Sequence, residues 1–265
     1  MMMEGLPGMP QPADPAAVDK FLSEFSQKCV EFGYYCDQYM RNEIGIGDIT
    51  RHLSEATADA EMQFAEYSFS MSMEQLQRYG VIQNSLDTMT FKLFETEIER
   101  NKEVVLEALK HGEYFIIGLT YNSIKSSVYM MNSKKKIKTE QEQMLAELER
   151  EQEATQGMVK VLKAIESVIK VENVAQVDFA KIQKALEIYV NYFRNAEHVH
   201  TKPASDERVF ILFGEHVDFL AENNFAGDKT NAAMHIGKCT GILQLLAHTD
   251  EQKMRLDIWR QVVNS

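Results

Sequence analysis

The residues best suited to chemistry in this sequence are one glutamate and three histidines that could serve as metal ligands. They are Glu197, His198, His200 and His216. Glu197 and His200 are three residues apart, so on a helix they share a face, as ligands of ferritin-like di-iron sites do. Such a site needs this pair twice, with a further Glu from each of two other helices, whereas the sequence contains the pair once. We therefore favour a surface helix end with histidines near its negative pole, and we expect no metal or other cofactor.

The sequence lacks the loops and turns that build the common catalytic sites. It has no Gly-x-Ser-x-Gly elbow, no phosphate loop of the GxxxxGK(S/T) type and no GxGxxG motif after a strand. The nearest approach is Gly45-Ile46-Gly47, which joins two predicted helices and has no third glycine. The sequence therefore predicts a protein that is not an enzyme.

The three cysteines are Cys29, Cys36 and Cys239. The first two are seven residues apart on one predicted helix, about 10.5 Å along its axis, which is too far for a disulfide. We expect free, buried thiols, which are typical of a reducing compartment. The N-terminal residues have neither the basic region nor the apolar core of a secretory signal. We therefore expect a cytoplasmic protein; export into a host cell without a cleaved signal is the alternative.

The charge is strongly acidic, with 28 Lys and Arg residues against 40 Asp and Glu residues and a formal net charge of −12. This balance argues against nucleic-acid binding, which needs clustered basic side chains, and against adhesion to anionic lipid over the whole surface. One basic cluster stands out: Lys134, Lys135, Lys136 and Lys138. Charge alternation along a solvated coiled coil explains it simply, and contact with a membrane or partner is the alternative.

A segment that is short of charge precedes these lysines, from Tyr114 to Met131, and contains one charged residue, Lys125. Its first part, Tyr114 to Tyr121, is the most apolar stretch of the chain. The simplest interpretation is a helix buried within a bundle. The alternative is a segment that is released onto a membrane, with the lysines binding anionic headgroups. The candidate membrane contacts are Phe115, Ile116, Ile117, Lys134, Lys135, Lys136 and Lys138.

From Met130 to Ile169 apolar residues recur with a heptad period, interrupted by Glu151 and Thr155. This pattern is typical of a coiled coil, and an intramolecular hairpin produces the same pattern. We expect self-association through this register. The residues predicted to mediate it are Met144, Leu148, Met158, Leu162, Ile165 and Ile169.

The elements that must position these residues are predicted to be helices throughout. Only 5 Pro and 13 Gly are present, helix-forming residues dominate, and no alternating β-branched run occurs. We predict an all-α protein: an elongated bundle of long antiparallel amphipathic helices, a coiled-coil-like hairpin, and a more compact helical C-terminal part. Residues 1–13 are expected to be disordered, residues 14–171 elongated and residues 178–265 compact, and whether the last two form one domain stays open.

Local signals predict the helix ends. Asp14, Asp48, Asp178 and Ser205 are expected as N-caps, Gly227-Asp228 as the start of another helix, and Asp250 as the start of the last. Gly80 is expected to end the second helix, and His111-Gly112 to break or kink the third. The helix after Asp178 is expected to reach about His200. The stretch 208–223 is apolar on nearly all sides, which predicts a buried helix.

Three functions are compatible with these features. The first is a non-enzymatic scaffold that associates with itself or with another helical protein. The second is a membrane-active helical protein, either a remodelling dimer or a pore former. The third is a helical metalloprotein. No nucleic-acid partner is expected.

Overall fold

The structure is a computed structural model, and it describes residues 13–133 and 139–262. Within those residues the secondary structure is helical and contains no strand, so the protein is all-α, as the sequence predicts. The α-helices are α1 Pro15–Met40, α2 Ile46–Tyr67, α3 Met73–His111, α4 Tyr114–Ser133, α5 Thr139–Ile169, α6 Phe179–Phe193, α7 Lys202–Glu222, α8 Lys229–Leu243 and α9 Asp250–Val262. Short 3-10 helices occupy Val174–Gln176 and Asn224–Gly227.

The helices form two compact units. The described part of unit 1 comprises residues 13–99 and 127–133, and that of unit 2 comprises residues 100–126 and 139–262. The predicted boundary at residues 172–177 lies inside unit 2, where α5 packs on both α6 and α7. The segment predicted to be disordered lies outside the described residues except for Ala13.

Unit 1 is built around the contact between α1 and α2. Asp14 caps α1 as predicted, because its side chain accepts a hydrogen bond from the backbone N–H of Ala16, and Pro15 stands at the first helical position. The buried stripe of α1 recurs every three or four residues: Val18, Phe21, Leu22, Phe25, Cys29, Phe32, Cys36 and Tyr39. It packs against the shorter side chains of Ile49, Leu53, Ala56 and Ala60 on α2.

Two predicted helix ends in unit 1 are wrong. Gly80 lies inside α3 rather than at a helix end, because a reciprocal cap formed by Ser72 and Gln75 already starts α3 at Met73. An interior glycine costs a helix only about 1 kcal/mol, and this helix tolerates it. Asp48 is not an N-cap either; Gly45 holds that position, and Asp48 lies in the first turn of α2.

In unit 2, Gly112 separates α3 from α4. Its φ of 72° is left-handed, and the following N–H of Glu113 donates to Ala108, which closes the end of α3. The apolar segment that begins at Tyr114 forms α4, and the heptad region from Thr139 to Ile169 forms α5. Lys134, Lys135, Lys136 and Lys138 fall between them, outside the described residues.

Asp178 caps α6 as predicted, and α8 starts after Gly227-Asp228 as predicted, with Asp228 as its N-cap; each aspartate accepts from the backbone N–H three residues on. Two other predictions are wrong here. Ser205 is not a cap, because α7 begins at Lys202 with Pro203 in its first turn. The helix after Asp178 ends at Phe193 and does not reach His200. As expected, α7 is buried on nearly all sides: Val209, Phe210, Leu212, Phe213, Val217 and Leu220 form the centre of unit 2.

Candidate functional site

The structure does not gather the candidate metal ligands. Glu197, His198 and His200 are exposed and lie in turns after α6, so they do not share a helix face as predicted. His216 is buried on α7. Among residues 13–133 and 139–262, no group of three or more His, Cys, Asp or Glu side chains is arranged to hold a metal ion.

His216 instead belongs to a buried, uncharged cluster with His235 and Cys239 of α8. The two Nε2 atoms are 3.0 Å apart, and Cys239 Sγ is 3.6 Å from His235 Nδ1. Phe179 stacks on the His235 ring at 4.3 Å. Burial lowers the pKa of His216 to about 3 and that of His235 to about 4, so both rings are neutral at physiological pH. A neutral pair fits one arrangement well: His216 Nε2–H donates to His235, and His235 Nδ1–H donates to sulfur. The side chains of this cluster therefore form part of the buried core of unit 2.

The residues predicted to mediate self-association lie mostly in the chain's own core. Met158, Leu162, Ile165 and Ile169 are at most 3% exposed, because α6 and α7 cover this side of α5. Leu148 is also buried, and Met144 is partly exposed. The C-terminal half of the heptad pattern is therefore closed within unit 2, and these four side chains offer no surface to a second copy.

The polar interruption at Thr155 has a structural cause. Thr155 is fully buried, accepts a hydrogen bond from Tyr121 of α4 at 3.0 Å, and is also hydrogen-bonded to Thr201. Further along the same pair of helices, Lys163 Nζ lies 5.5 Å from the ring of Tyr114. The two contacts show that the unit 2 part of α4 runs antiparallel to α5. They also fix which side of α4 faces inward.

The opposite side of α4 is exposed and apolar at its N-terminal end. Phe115 is 77% exposed, Ile116 38% and Leu119 54%, whereas Ile117, predicted together with the first two, is buried. One and two helical turns beyond Leu119, Asn122 and Ser126 are exposed on the same side. We call Phe115, Ile116, Leu119, Asn122 and Ser126 the α4 outer face. Sequence reasoning missed Leu119, although its spacing of four residues from Phe115 places both on one face.

A second feature of unit 2 is a buried ion pair at the start of α7. Lys202 Nζ donates to Asp206 Oδ2, and Tyr189 of α6 donates its hydroxyl to Asp206 Oδ1 at 2.9 Å. Lys202 is 3% exposed and Asp206 2%. Burial raises the pKa of the Asp206 carboxyl, while the hydrogen bond and charge of Lys202 oppose the rise. The sequence offers only an i, i+4 pair, a spacing that is usually found on helix surfaces, so this pair was missed.

This ion pair forms part of the wall of a cavity of about 410 Å³. We call it the Lys202 cavity, and its lining residues are Glu197, Lys202, Pro203, Asp206, His248, Thr249 and Gln252. Its α9 side is fixed by a reciprocal cap: Gln252 Oε1 accepts from the backbone N–H groups of His248 and Thr249, and Thr249 accepts from Gln252. The volume lies in the range typical of small-molecule sites.

A third polar contact secures the α3–α4 junction to the rest of unit 2. Arg208 of α7 is 5% exposed and donates to Glu166 of α5 at 2.8 Å. Burial opposes ionisation of Glu166, but the hydrogen bond from Lys170 and the charge of Arg208 hold its pKa below the ordinary value. Gly112 packs directly on this guanidinium, and a Cβ there would lie 2.7 Å from Arg208 Nη2. The contacts among Gly112, Arg208 and Glu166 therefore have a structural role at the α3–α4 junction.

Unit 1 contains a groove of about 530 Å³ between α1 and α2. Along it, Tyr35 stacks on His52 at 3.6 Å, and Lys28 pairs with Asp59 at 2.7 Å. The Lys28–Asp59 pair is solvent-exposed, and no buried ionised group lines this groove. It therefore provides less specific chemistry than the Lys202 cavity.

No protein-family model, curated protein or solved structure matches the chain. Across the helical segments that the structure describes, none combines the length and the apolar character required to cross a membrane.

Proposed function

We propose that this protein is a non-enzymatic helical scaffold that self-associates through the α4 outer face of unit 2. The observation that carries the proposal is the exposure of three large apolar side chains, Phe115, Ile116 and Leu119, within two turns of one helix. Leaving them in water costs about 25 cal/mol for each Å² of apolar surface that a partner would otherwise cover. Contiguous apolar surface of this kind marks contact sites more often than scattered single side chains do.

Charge permits a second copy as the occupant of this face. Two chains of net charge −12 repel each other, so a contact between them is favourable only where few carboxylates meet. The five side chains of the α4 outer face are uncharged; Lys125, which is exposed next to Ser126, is the one charged residue between Tyr114 and Ser126, and it is basic. Asn122 lies within the face, and a polar residue in an apolar helix contact can pair with its counterpart and fix the register.

The size of the face predicts a weak contact. Twelve residues of helix are about 18 Å long, and such a strip is far smaller than the roughly 800 Å² that each partner buries in a stable complex. We therefore expect association that depends on concentration, in the micromolar range or weaker, and not an obligate dimer.

Light scattering on a sizing column across a concentration series tests this proposal. The wild-type protein is expected to gain mass with concentration, and Phe115→Glu combined with Leu119→Glu is expected to hold it as a monomer. Tyr192→Glu is the matched control, because Tyr192 is 76% exposed on α6, in the same unit, and is not part of the α4 outer face. A wild-type protein that stays monomeric at every concentration would refute the proposal, as would an equal effect of the control.

The second candidate is contact with a membrane surface, favoured by the exposure of Phe115 and Ile116 close in sequence to the lysine run. An apolar wedge beside basic residues binds anionic bilayers through both. Co-sedimentation with vesicles of phosphatidylserine and phosphatidylcholine tests it. Lipid binding that survives changing Lys134, Lys135, Lys136 and Lys138 to Glu would exclude the electrostatic part. Lipid binding that survives Phe115→Glu with Leu119→Glu would exclude the apolar part.

A further inference from the structure

The Lys202 cavity holds two opposite charges side by side in its wall. Lys202 and Asp206 are nearly inaccessible to solvent, yet both line the cavity. A buried ion pair gives little or no net stability relative to apolar side chains of the same volume, because desolvation offsets the attraction. Stability alone therefore gives little reason for this pair to face a cavity of ligand size.

The hydrogen-bonding capacity of the pair is only partly used. The Lys202 ammonium has three N–H donors, and among the described residues Asp206 is its one acceptor. Asp206 accepts from Lys202 on one oxygen and from Tyr189 on the other, and each oxygen has a second lone pair. Two residues that line the cavity thus retain spare donors beside spare acceptors, at the spacing of one ion pair.

The remaining lining residues decide which ligand charge fits. Glu197, which is exposed, adds a second carboxylate to the lining, and His248 belongs to the lining on the α9 side. A simple anion would pair with Lys202 but would be repelled by Asp206 and Glu197. A simple cation would pair with the carboxylates and be repelled by Lys202. A ligand that carries both charges close together satisfies all three groups.

We propose that the Lys202 cavity binds a small zwitterion with an ammonium and a carboxylate a few ångströms apart, the class to which free α-amino acids belong. The ligand carboxylate accepts from Lys202 Nζ, and the ligand ammonium lies between Asp206 and Glu197. Lys202, the ligand carboxylate, the ligand ammonium and Asp206 then alternate in sign around a ring of four charges, and Glu197 is a second partner of the ammonium; opposite neighbours compensate the desolvation of each charge. The cavity volume of about 410 Å³ leaves room for the ligand side chain.

Thermal unfolding and isothermal titration calorimetry of the full chain test the proposal. The probes are the common L-amino acids one at a time, with propionate as the carboxylate alone, ethylamine as the amine alone, and inorganic phosphate. At least one amino acid is expected to bind saturably and to raise the Tm by about 3 °C at ten times its Kd. Propionate and ethylamine are expected to bind at least tenfold more weakly.

Two variants locate the site. Lys202→Met with Asp206→Leu replaces the ion pair by apolar side chains and is expected to abolish binding while far-UV circular dichroism stays unchanged. Glu197→Gln, at an exposed residue where folding is not at risk, is expected to weaken binding about two- to fivefold. Glu172→Gln is the matched control, because Glu172 is also exposed in unit 2 but lies outside the cavity.

Several outcomes would overturn the proposal. They are the absence of saturable binding by any amino acid, propionate or phosphate binding as tightly as the best amino acid, and an unchanged Kd in Glu197→Gln. None of these measurements depends on self-association through the α4 outer face, so the two proposals stand or fall separately.

Discussion

Lys202→Met removes the positive partner of the buried ion pair, and it tests how strongly unit 2 depends on that pair for its stability. Methionine keeps most of the side-chain length but leaves the Asp206 carboxylate buried, with Tyr189 as its remaining hydrogen-bond donor. Both charged side chains are almost wholly buried, so solvent does not screen the loss. Breaking a buried pair by deleting one partner costs about 3–5 kcal/mol, and we expect the free energy of unfolding of unit 2 to fall by that amount.

The penalty should depend on pH with a defined sign. The pKa of the Asp206 carboxyl is already raised by burial, and Lys202 is the main group that holds it down. Without Lys202 the pKa rises further. A carboxyl whose pKa is raised in the folded state contributes stability below its ordinary value of 3.8 and loses it as pH rises through the folded value. The destabilisation by Lys202→Met should therefore be full at neutral pH and should shrink as the pH falls towards 3.8.

The assay is denaturant unfolding followed by tryptophan fluorescence. Trp259 is the single tryptophan of the sequence, is 8% exposed, and lies 5.3 Å from Phe213 in the core of unit 2, so its signal reports this unit. Lys253→Met is the matched control: Lys253 pairs with Asp250 at the surface, and its loss should cost at most about 1 kcal/mol.

The double variant Lys202→Met with Asp206→Leu provides the decisive comparison. It removes the uncompensated charge together with its partner, so it should recover most of the stability that the single variant loses. Two results would refute the reasoning: a single variant as stable as the wild type at neutral pH, or a double variant no more stable than the single one.

Two further predictions concern the glycine of the α3–α4 junction and the cysteines. Gly112→Ala should lower the free energy of unfolding of unit 2 by about 1–3 kcal/mol, because the φ of Gly112 is 72° and the new Cβ meets Arg208. Gly118→Ala should instead raise that free energy by about 0.5–1 kcal/mol, because no atom lies within 4 Å of the new Cβ. Denaturant titrations measure both, and equal effects would contradict the proposed strain. Burial raises the pKa of Cys29 and Cys36 to about 11 and that of Cys239 to about 12. The native protein should therefore not react with Ellman's reagent at neutral pH, whereas all three thiols should react in guanidinium. Rapid labelling of the native protein would contradict the burial of these thiols.

The sequence also predicted several features of the site region, but only in part. Phe115, Ile116 and Ile117 were predicted as contact residues because they lie in an apolar segment. The structure leaves Phe115 and Ile116 exposed and buries Ile117. No pattern distinguished these neighbours, because a segment that is apolar on all sides has no hydrophobic period from which to choose its inner face. Contacts with α5, through Tyr121 and Thr155, make that choice.

The sequence by itself determined the features that depend on residues close together in the chain. Its composition fixed the all-α class, and the caps at Asp14, Asp178 and Asp228 follow from side chains that bond the nearest free backbone N–H groups. Gly80 shows the limit of such signals, since a glycine weakens a helix without deciding where it ends.

The tertiary structure alone decided which surfaces meet. A heptad stripe shows that one side of α5 is buried, but it does not show whether the cover is a second copy or, as found, α6 and α7 of the same chain. The i, i+4 spacing of Lys202 and Asp206 is likewise the same at a surface and in a core. Only the packing of α6 and the turn before α9 around them makes it a buried pair at a cavity. Periodicity depends on a few neighbouring residues, whereas burial depends on contacts between residues far apart in the chain.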